Sequence, residues 1–293
     1  MNVLVCGARG FVGRAACAAL RRRGHRVIEA VSSPERTDAI TIDFSRDVDA
    51  ATWLPRLAGV DAVVNAVGVL RDSRRRPIVA VHDTVPRALF EACAQAGVRR
   101  VVQVSALGIA GCQVSYARSK IAAENALLAH VDTGRLDGVV VRPSIIFGRG
   151  APSSELFLGL ARLPALLLPQ AVRRARVQPV AVDELGEVLA KLVEMPTQQS
   201  TMLTAVGPEP LTLGDFIASL RAQAGRAPAR VGTLPDVLAR WSARAGDLVP
   251  VAPWCSETLE LLGADNVADP APFERLLGRR ATRFDALLAG ADA

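Results

Sequence analysis

Apolar residues along the chain follow two periods. Short runs at 2–6, 26–31, 39–42, 61–66, 100–105 and 138–142 read as strands, whereas 11–23, 78–96 and 115–130 carry helical spacing. Gly97 closes the second of these helices and Pro143 stops the last strand. Strands alternating with helices of about 10–15 residues imply right-handed βαβ units around a buried parallel sheet. The expected fold class is therefore α/β, a doubly wound parallel sheet. After Pro143 proline becomes frequent, and helical stretches at 156–163, 183–194, 213–224 and 234–245 lose their strand partners. The pattern predicts a first, sheet-forming domain over 1–144. A smaller, mostly helical lobe follows over 145–293, with segments near 176–206, including a strand at 202–206, completing the sheet.

Composition narrows the function classes. The 293 residues are 50% hydrophobic and 22% charged, which excludes disorder as the main state. The most apolar stretch, 156–169, is interrupted by Arg162 and falls short of the roughly 20 residues a membrane span needs. Met1 runs directly into a strand-like segment without a basic leader region, so no signal peptide is expected. Five scattered cysteines without CxxC spacing read as small core residues in a reducing compartment, which places the protein in the cytoplasm. Three scattered histidines make no metal box. The net charge is +6, yet the basic residues are dispersed and aromatics are few, so nucleic acid is not an expected partner. All but two basic residues are arginine. Lys120 and Lys191 are the two lysines, and Tyr116 is the single tyrosine.

Between the first strand and the first helix lies Gly7-Ala8-Arg9-Gly10-Phe11-Val12-Gly13. Glycines there permit a tight turn and close backbone approach, so that a pyrophosphate can rest on the helix N-terminus. The spacing is GxxGxxG, not GxGxxG. An acid about 20 residues past the glycines would hold a ribose 2′-hydroxyl. Here the second strand leads into Ser32-Ser33-Pro34-Glu35-Arg36, with no acid at its tip. Small hydroxyls with Arg9 and Arg36 favour NADP, since a guanidinium can take a 2′-phosphate bidentately. NAD stays open through Glu29 or Glu35. Asp43-Phe44 follows the third strand, placed to border an adenine ring, and Asn65-Ala66-Val67-Gly68 ends the fourth at the carboxyl edge, where ligands bind in such sheets.

Tyr116-Ala117-Arg118-Ser119-Lys120 sets the rare tyrosine and a rare lysine at i, i+4 on one helix face, a coincidence of roughly 1% over the chain length. A phenol of ordinary pKa near 10 is a poor acid–base group at neutral pH, and a neighbouring ammonium is expected to lower that value.

Together the glycine turn, Asn65-Ala66-Val67-Gly68, the serine strand end Val104-Ser105 and the Tyr116/Lys120 pair resemble the short-chain dehydrogenase/reductase superfamily. Arg142-Pro143-Ser144-Ile145-Ile146-Phe147-Gly148 and Gln178-Pro179-Val180-Ala181-Val182-Asp183 resemble its extended or atypical branch. That branch includes the NAD-dependent epimerase/dehydratase family and the NADH-binding accessory subunit group of respiratory complex I. The resemblance implies a Rossmann fold with Tyr116 as acid–base residue and Lys120 on the nicotinamide ribose. It also implies Ser105 beside the nicotinamide and Pro143 among the cofactor-binding residues. Two positions depart from it. Ala106 stands where extended members carry a second serine, and His82 stands at the position matched to the asparagine of the catalytic tetrad.

Three functions follow from this resemblance. The first is an NADP(H)-dependent oxidoreductase acting on a carbonyl or alcohol of a small-molecule substrate, with Tyr116 exchanging the proton. The second is a non-catalytic dinucleotide-binding protein with a structural, assembly or redox-reporting role. The third is a nucleotide-sugar epimerase or dehydratase. Separately, segment 156–176 sets Leu166-Leu167-Leu168 beside Arg173, Arg174 and Arg176. Lobe packing is one reading of it, and a peripheral membrane or membrane-protein contact is the other.

Overall fold

The computed structural model describes the chain except for residues 34–38, 75, 196–201, 249–253 and 292–293. The described chain forms two compact units. The first comprises Met1–Ala106, Ser115–Arg142 and Asp183–Leu203; the second comprises Leu107–Val114, Pro143–Val182 and Thr204–Ala293.

The first unit opens with β1 (Asn2–Cys6), α1 (Phe11–Arg22), β2 (Arg26–Val31) and β3 (Ile40–Thr41). A short α2 (Ala50–Trp53) runs into a 3-10 turn, and β4 (Ala62–Asn65) follows. Next come α3 (Val85–Ala96), β5 (Arg100–Val104), α4 (Ser115–Asp132) and β6 (Gly138–Pro143). β4 and β5 are buried at every position, as expected of parallel strands covered on both faces. On one face Leu4, Trp53, Val63, Leu89, Phe90, Val101, Leu127 and Val140 belong to one apolar core. α3 ends on Gly97, whose φ of 69° closes the helix in the left-handed region.

The sequence reads 78–96 as one helix, but the chain widens into a π-helical turn over Ala80–Thr84 before α3 begins. Pro86 explains this. It lacks the N–H that would reach the carbonyl four residues back, at His82, and its ring crowds that carbonyl.

The second unit carries β7 (Ile146–Phe147), α5 (Pro152–Arg162), β8 (Ala165–Pro169), α6 (Gln170–Arg174), β9 (Arg176–Val177) and β10 (Val180–Ala181). α7 (Val182–Glu194) belongs to the first unit apart from its first residue. β11 (Met202–Ala205), β12 (Leu211–Thr212), α8 (Leu213–Gln223), β13 (Arg230–Leu234), α9 (Asp236–Asp247), α10 (Ser256–Gly263), α11 (Ala271–Leu277) and α12 (Leu287–Ala291) complete the order. The main sheet has seven strands in the order β11-β6-β5-β4-β1-β2-β3, doubly wound outward from β1 and β4. The pairs β1–β2, β1–β4, β2–β3, β4–β5 and β5–β6 are parallel. Three two-stranded pairs, β10–β7, β12–β9 and β13–β8, accompany the helices of the second unit, whose core gathers Phe147, Phe157, Phe216, Ile217 and Leu220.

The leucines grouped by sequence on one apolar face separate on β8. Leu166 and Leu168 are buried in the second unit's core, while Leu167 is 69% exposed and pairs with Gly232 of β13. Their period is 2, not 3.6. No helix among the described residues is long and apolar enough to cross a membrane.

Candidate active site

The parallel strands β1, β4 and β5 bring their carboxyl ends to one edge of the sheet. At the end of β1 the chain turns on Gly7, which holds φ +77°. The Gly10 amide donates to the Gly7 carbonyl at 2.8 Å, and the Gly7 amide donates to the Ala30 carbonyl at 3.1 Å. A Cβ on Gly13 would lie 2.0 Å from the Gly7 oxygen, so helix and turn approach to a distance only glycine allows. α1 opens at Phe11 and Val12 with no side-chain cap on Gly10 and no acid in its first turn. Its first amides, without a side-chain cap among the described residues, and the positive end of its dipole thus meet at the glycine turn. The Arg9 guanidinium donates to the Ser33 carbonyl at 2.7 Å, bringing it to the exposed Ser32-Ser33 tip of β2. Arg36 lies outside the described residues.

Asp43, half exposed, accepts from the amide and hydroxyl of Ser45, which hold its carboxyl below the usual carboxylate range. Phe44 turns inward and packs edge-on against Trp53 at 5.7 Å, so its ring belongs to the core and Asp43 is the exposed member of the pair.

Asn65 is buried at the end of β4. Its Nδ2 donates to Gln103 Oε1 at 2.8 Å, and its Oδ1 accepts the Val67 amide at 3.3 Å. These bonds shape the turn Ala66-Val67-Gly68. At one end the turn presses on the glycine loop, where a Cβ on Gly7 would be 3.1 Å from Val67 Cγ2. At the other end a Cβ on Gly68 would sit 3.6 Å from Lys120 Nζ and 3.7 Å from His82 Nε2. Gln103 is not among the residues singled out from the sequence; a lone amide within an aliphatic strand is the signal that marks it.

α4 carries Tyr116, Ser119, Lys120 and Glu124. The buried Lys120 Nζ donates to the Val104 carbonyl at 3.1 Å, at the end of β5. The adjoining Ser105 is buried as well, and among the described residues its Oγ finds no hydrogen-bond partner. The His82 ring stands edge-on to Tyr116 with centroids 5.1 Å apart. Glu124, one turn beyond Lys120, is buried in a two-point ion pair with Arg142. Pro143 ends β6, and its carbonyl accepts the Leu107 amide at 2.8 Å.

The protonation states correct one expectation. The lysine does not bring the phenol down: burial pushes Tyr116 up to about 12. Lys120 Nζ is 5.9 Å from the ring centre and bonded to a carbonyl, which leaves desolvation in control. Burial likewise pulls Lys120 down to about 8, against the pull of Glu124. Burial, then the Lys120 charge, holds His82 down at about 2, so its ring is neutral.

These features fit a dinucleotide. The glycine cradle and uncapped α1 amides suit a pyrophosphate, and the orphaned Ser105 hydroxyl beside Lys120 suits a polar ring and ribose.

Comparison with known proteins agrees. Residues 3–180 match the model of the NAD dependent epimerase/dehydratase family. NADH dehydrogenase (ubiquinone) 1 alpha subcomplex subunit 9, mitochondrial, of Rattus norvegicus is 26% identical over 270 residues, covering 86% of this chain and 69% of the relative. The ceramide reductase of Caulobacter vibrioides is 28% identical over 240 residues, covering 80% of this chain and 74% of the relative. The fold also superposes on UDP-N-acetylglucosamine 4-epimerase from Bacillus cereus with a TM-score of 0.73, covering 99% of this chain and 95% of that one at 14% identity, a likeness of fold alone. With the match extending over most of the sheet and the whole of the site described above, the chain belongs to the NAD dependent epimerase/dehydratase family, NAD(P)-binding oxidoreductases of the extended short-chain dehydrogenase/reductase type.

Proposed function

We propose that this protein binds NADP(H) and reduces a carbonyl on a small-molecule substrate, with Tyr116 delivering the proton. The observation that carries the reading is the buried Ser105 Oγ, which has no hydrogen-bond partner among the described residues and adjoins the Val104 carbonyl bound by Lys120 of the Tyr116-bearing helix α4. A buried hydroxyl without a partner costs on the order of 1–3 kcal/mol, a cost that a polar ligand relieves.

The glycine turn and the first amides of α1 hold the pyrophosphate, and Arg9 with Ser32 and Ser33 takes the 2′-phosphate. Lys120 would bind the nicotinamide ribose, while Asn65 keeps the Ala66–Gly68 turn in shape. Bound NADPH supplies the hydride. Tyr116, which holds its proton firmly at neutral pH, suits the reductive direction: its hydroxyl donates to the oxygen that gains charge as the carbonyl is reduced. Ser105 Oγ orients that same oxygen.

A binding protein without turnover is the second reading. His82 and Ala106 at altered tetrad positions favour it, as does similarity to NADH dehydrogenase (ubiquinone) 1 alpha subcomplex subunit 9. Titration of the purified protein with NADPH and NADH, read by nicotinamide fluorescence, tests the cofactor reading, with mass spectrometry of any nucleotide it retains. Tighter NADPH binding is expected. Equal affinity for the two cofactors rejects the NADP preference, and no binding of either rejects the reading as a whole. Tightly retained oxidised cofactor points instead to epimerase or dehydratase chemistry.

A further inference from the structure

His82 has a second set of contacts beyond its ring contact with Tyr116. It lies on the π-helical turn that Pro86 imposes, and it is buried. Its Nε2 accepts the Val69 amide at 3.0 Å, so that nitrogen carries no proton. On the neutral ring the proton is then on Nδ1, which faces Ser119 Oγ at 3.5 Å. Ser119 donates its own hydrogen to the Ser115 carbonyl at 2.8 Å, which leaves its oxygen free to accept from Nδ1. The titratable groups facing the ring are Tyr116, edge-on at 5.1 Å, and Lys120.

We propose that His82 is a positioning residue: its Nε2 clamps the turn 66–69 onto α4, and its ring edge holds the Tyr116 phenol in place. The inference rests on the reading of this site as a dinucleotide site. The turn it holds lies close to Gly7 at one end and leaves little room beyond Gly68 before Lys120 at the other, so a single imidazole links the pyrophosphate loop to the acid–base helix. An asparagine side chain is shorter and has no ring to pack edge-on against Tyr116. The ring's two functions are separable, because the clamp depends on the Nε2 lone pair and the phenol contact depends on the ring's bulk.

His82→Phe keeps a ring against Tyr116 but leaves the Val69 amide without an acceptor, whereas His82→Ala removes both contacts. Tyr116 is the chain's single tyrosine, so phenolate absorbance titrates that residue alone. Cofactor affinity for NADPH and NADH and the Tyr116 midpoint are measured for wild type and both variants, with circular dichroism to confirm folding. The expected result is a cofactor affinity about fivefold or more weaker in His82→Phe, with its Tyr116 midpoint unchanged. In His82→Ala both change, the midpoint falling from about 12 towards the ordinary value near 10 as water reaches the phenol.

Wild-type affinity in His82→Phe together with an unchanged midpoint in His82→Ala overturns the inference. If wild type binds neither cofactor, the functional reading fails instead. The clamp is then judged on the wild-type protein, as it is if the variants do not fold, by long-range proton–nitrogen spectra of the three histidines. His25 and His130 are removed one at a time for assignment. A His82 ring protonated on Nδ1 and neutral down to about pH 4 supports the clamp. A proton on Nε2, or titration near 6.5, overturns it.

Discussion

Lys120 and Tyr116 share one face of α4, yet the lysine ammonium is bonded to the Val104 carbonyl at 3.1 Å and stands 5.9 Å from the centre of the tyrosine ring. Each group is therefore governed by burial more than by the other. The phenol keeps its proton well above neutrality, while the ammonium is already within reach of deprotonation near pH 8. At neutral pH the pair presents a protonated phenol and a charged amine, the state in which a proton is given rather than taken.

Burial of Lys120 makes stability depend on pH. Its folded-state value of about 8 lies below the ordinary 10.5, so the unfolded chain holds more protons between those values. Stability contributed by this group must therefore rise as pH rises through that window, and the full burial penalty, on the order of 3 kcal/mol, applies below it. Lys120→Met removes the titration. Urea unfolding of both proteins from pH 7 to about 10 should show wild type gaining on the variant by up to this amount. A gap that stays constant with pH contradicts the assignment.

Arg9 reaches the tip of β2 through its bond to the Ser33 carbonyl. If it takes a 2′-phosphate, Arg9→Ala should weaken NADPH binding by about 1.5–3 kcal/mol and leave NADH nearly unchanged. Fluorescence titration with both cofactors gives the answer. Equal losses for the two would place Arg9 on a phosphate they share.

Gly13→Ala places a methyl group 2.0 Å from the Gly7 oxygen, against backbone that cannot swing aside. Either the glycine turn opens or α1 is displaced. Cofactor affinity should fall by about tenfold or more, with a loss of stability of about 1–3 kcal/mol. Gly24→Ala, at φ +80° with open space around it, is a control that strains only a distant turn. Matching cofactor losses in both variants would remove the glycine turn from the binding site.

The strands through β6 were legible because a parallel sheet buried on both faces demands continuous apolar runs, and α1, α3 and α4 because they are long enough for helical spacing to show; α2, at four residues, was too short to be read. Gly7, Gly13, Tyr116 and Lys120 could be singled out because residue type and spacing alone mark them. The π turn could not be read from periodicity, since helical spacing continues through it and only Pro86 marks the break. Phe44 reads as a ligand-facing aromatic until Trp53, nine residues on, takes its ring into the core. The strand pairs of the second unit are two to five residues long, too short for an alternating pattern to stand out from a helical one. The direction of the phenol's shift depends on burial and on where the lysine's bond goes, neither of which spacing encodes.

The central claim is that Tyr116 donates the proton in a hydride transfer from NADPH. Wild type and Tyr116→Phe are incubated with NADPH deuterated at the transferable nicotinamide position and a panel of aldehydes and ketones, and deuterium on product carbon is followed by mass spectrometry. The account predicts label on at least one alcohol product with wild type. With Tyr116→Phe the rate should fall about 100-fold or more, while NADPH binding is retained, since only the hydroxyl is lost. Label transferred by Tyr116→Phe at the wild-type rate would contradict it.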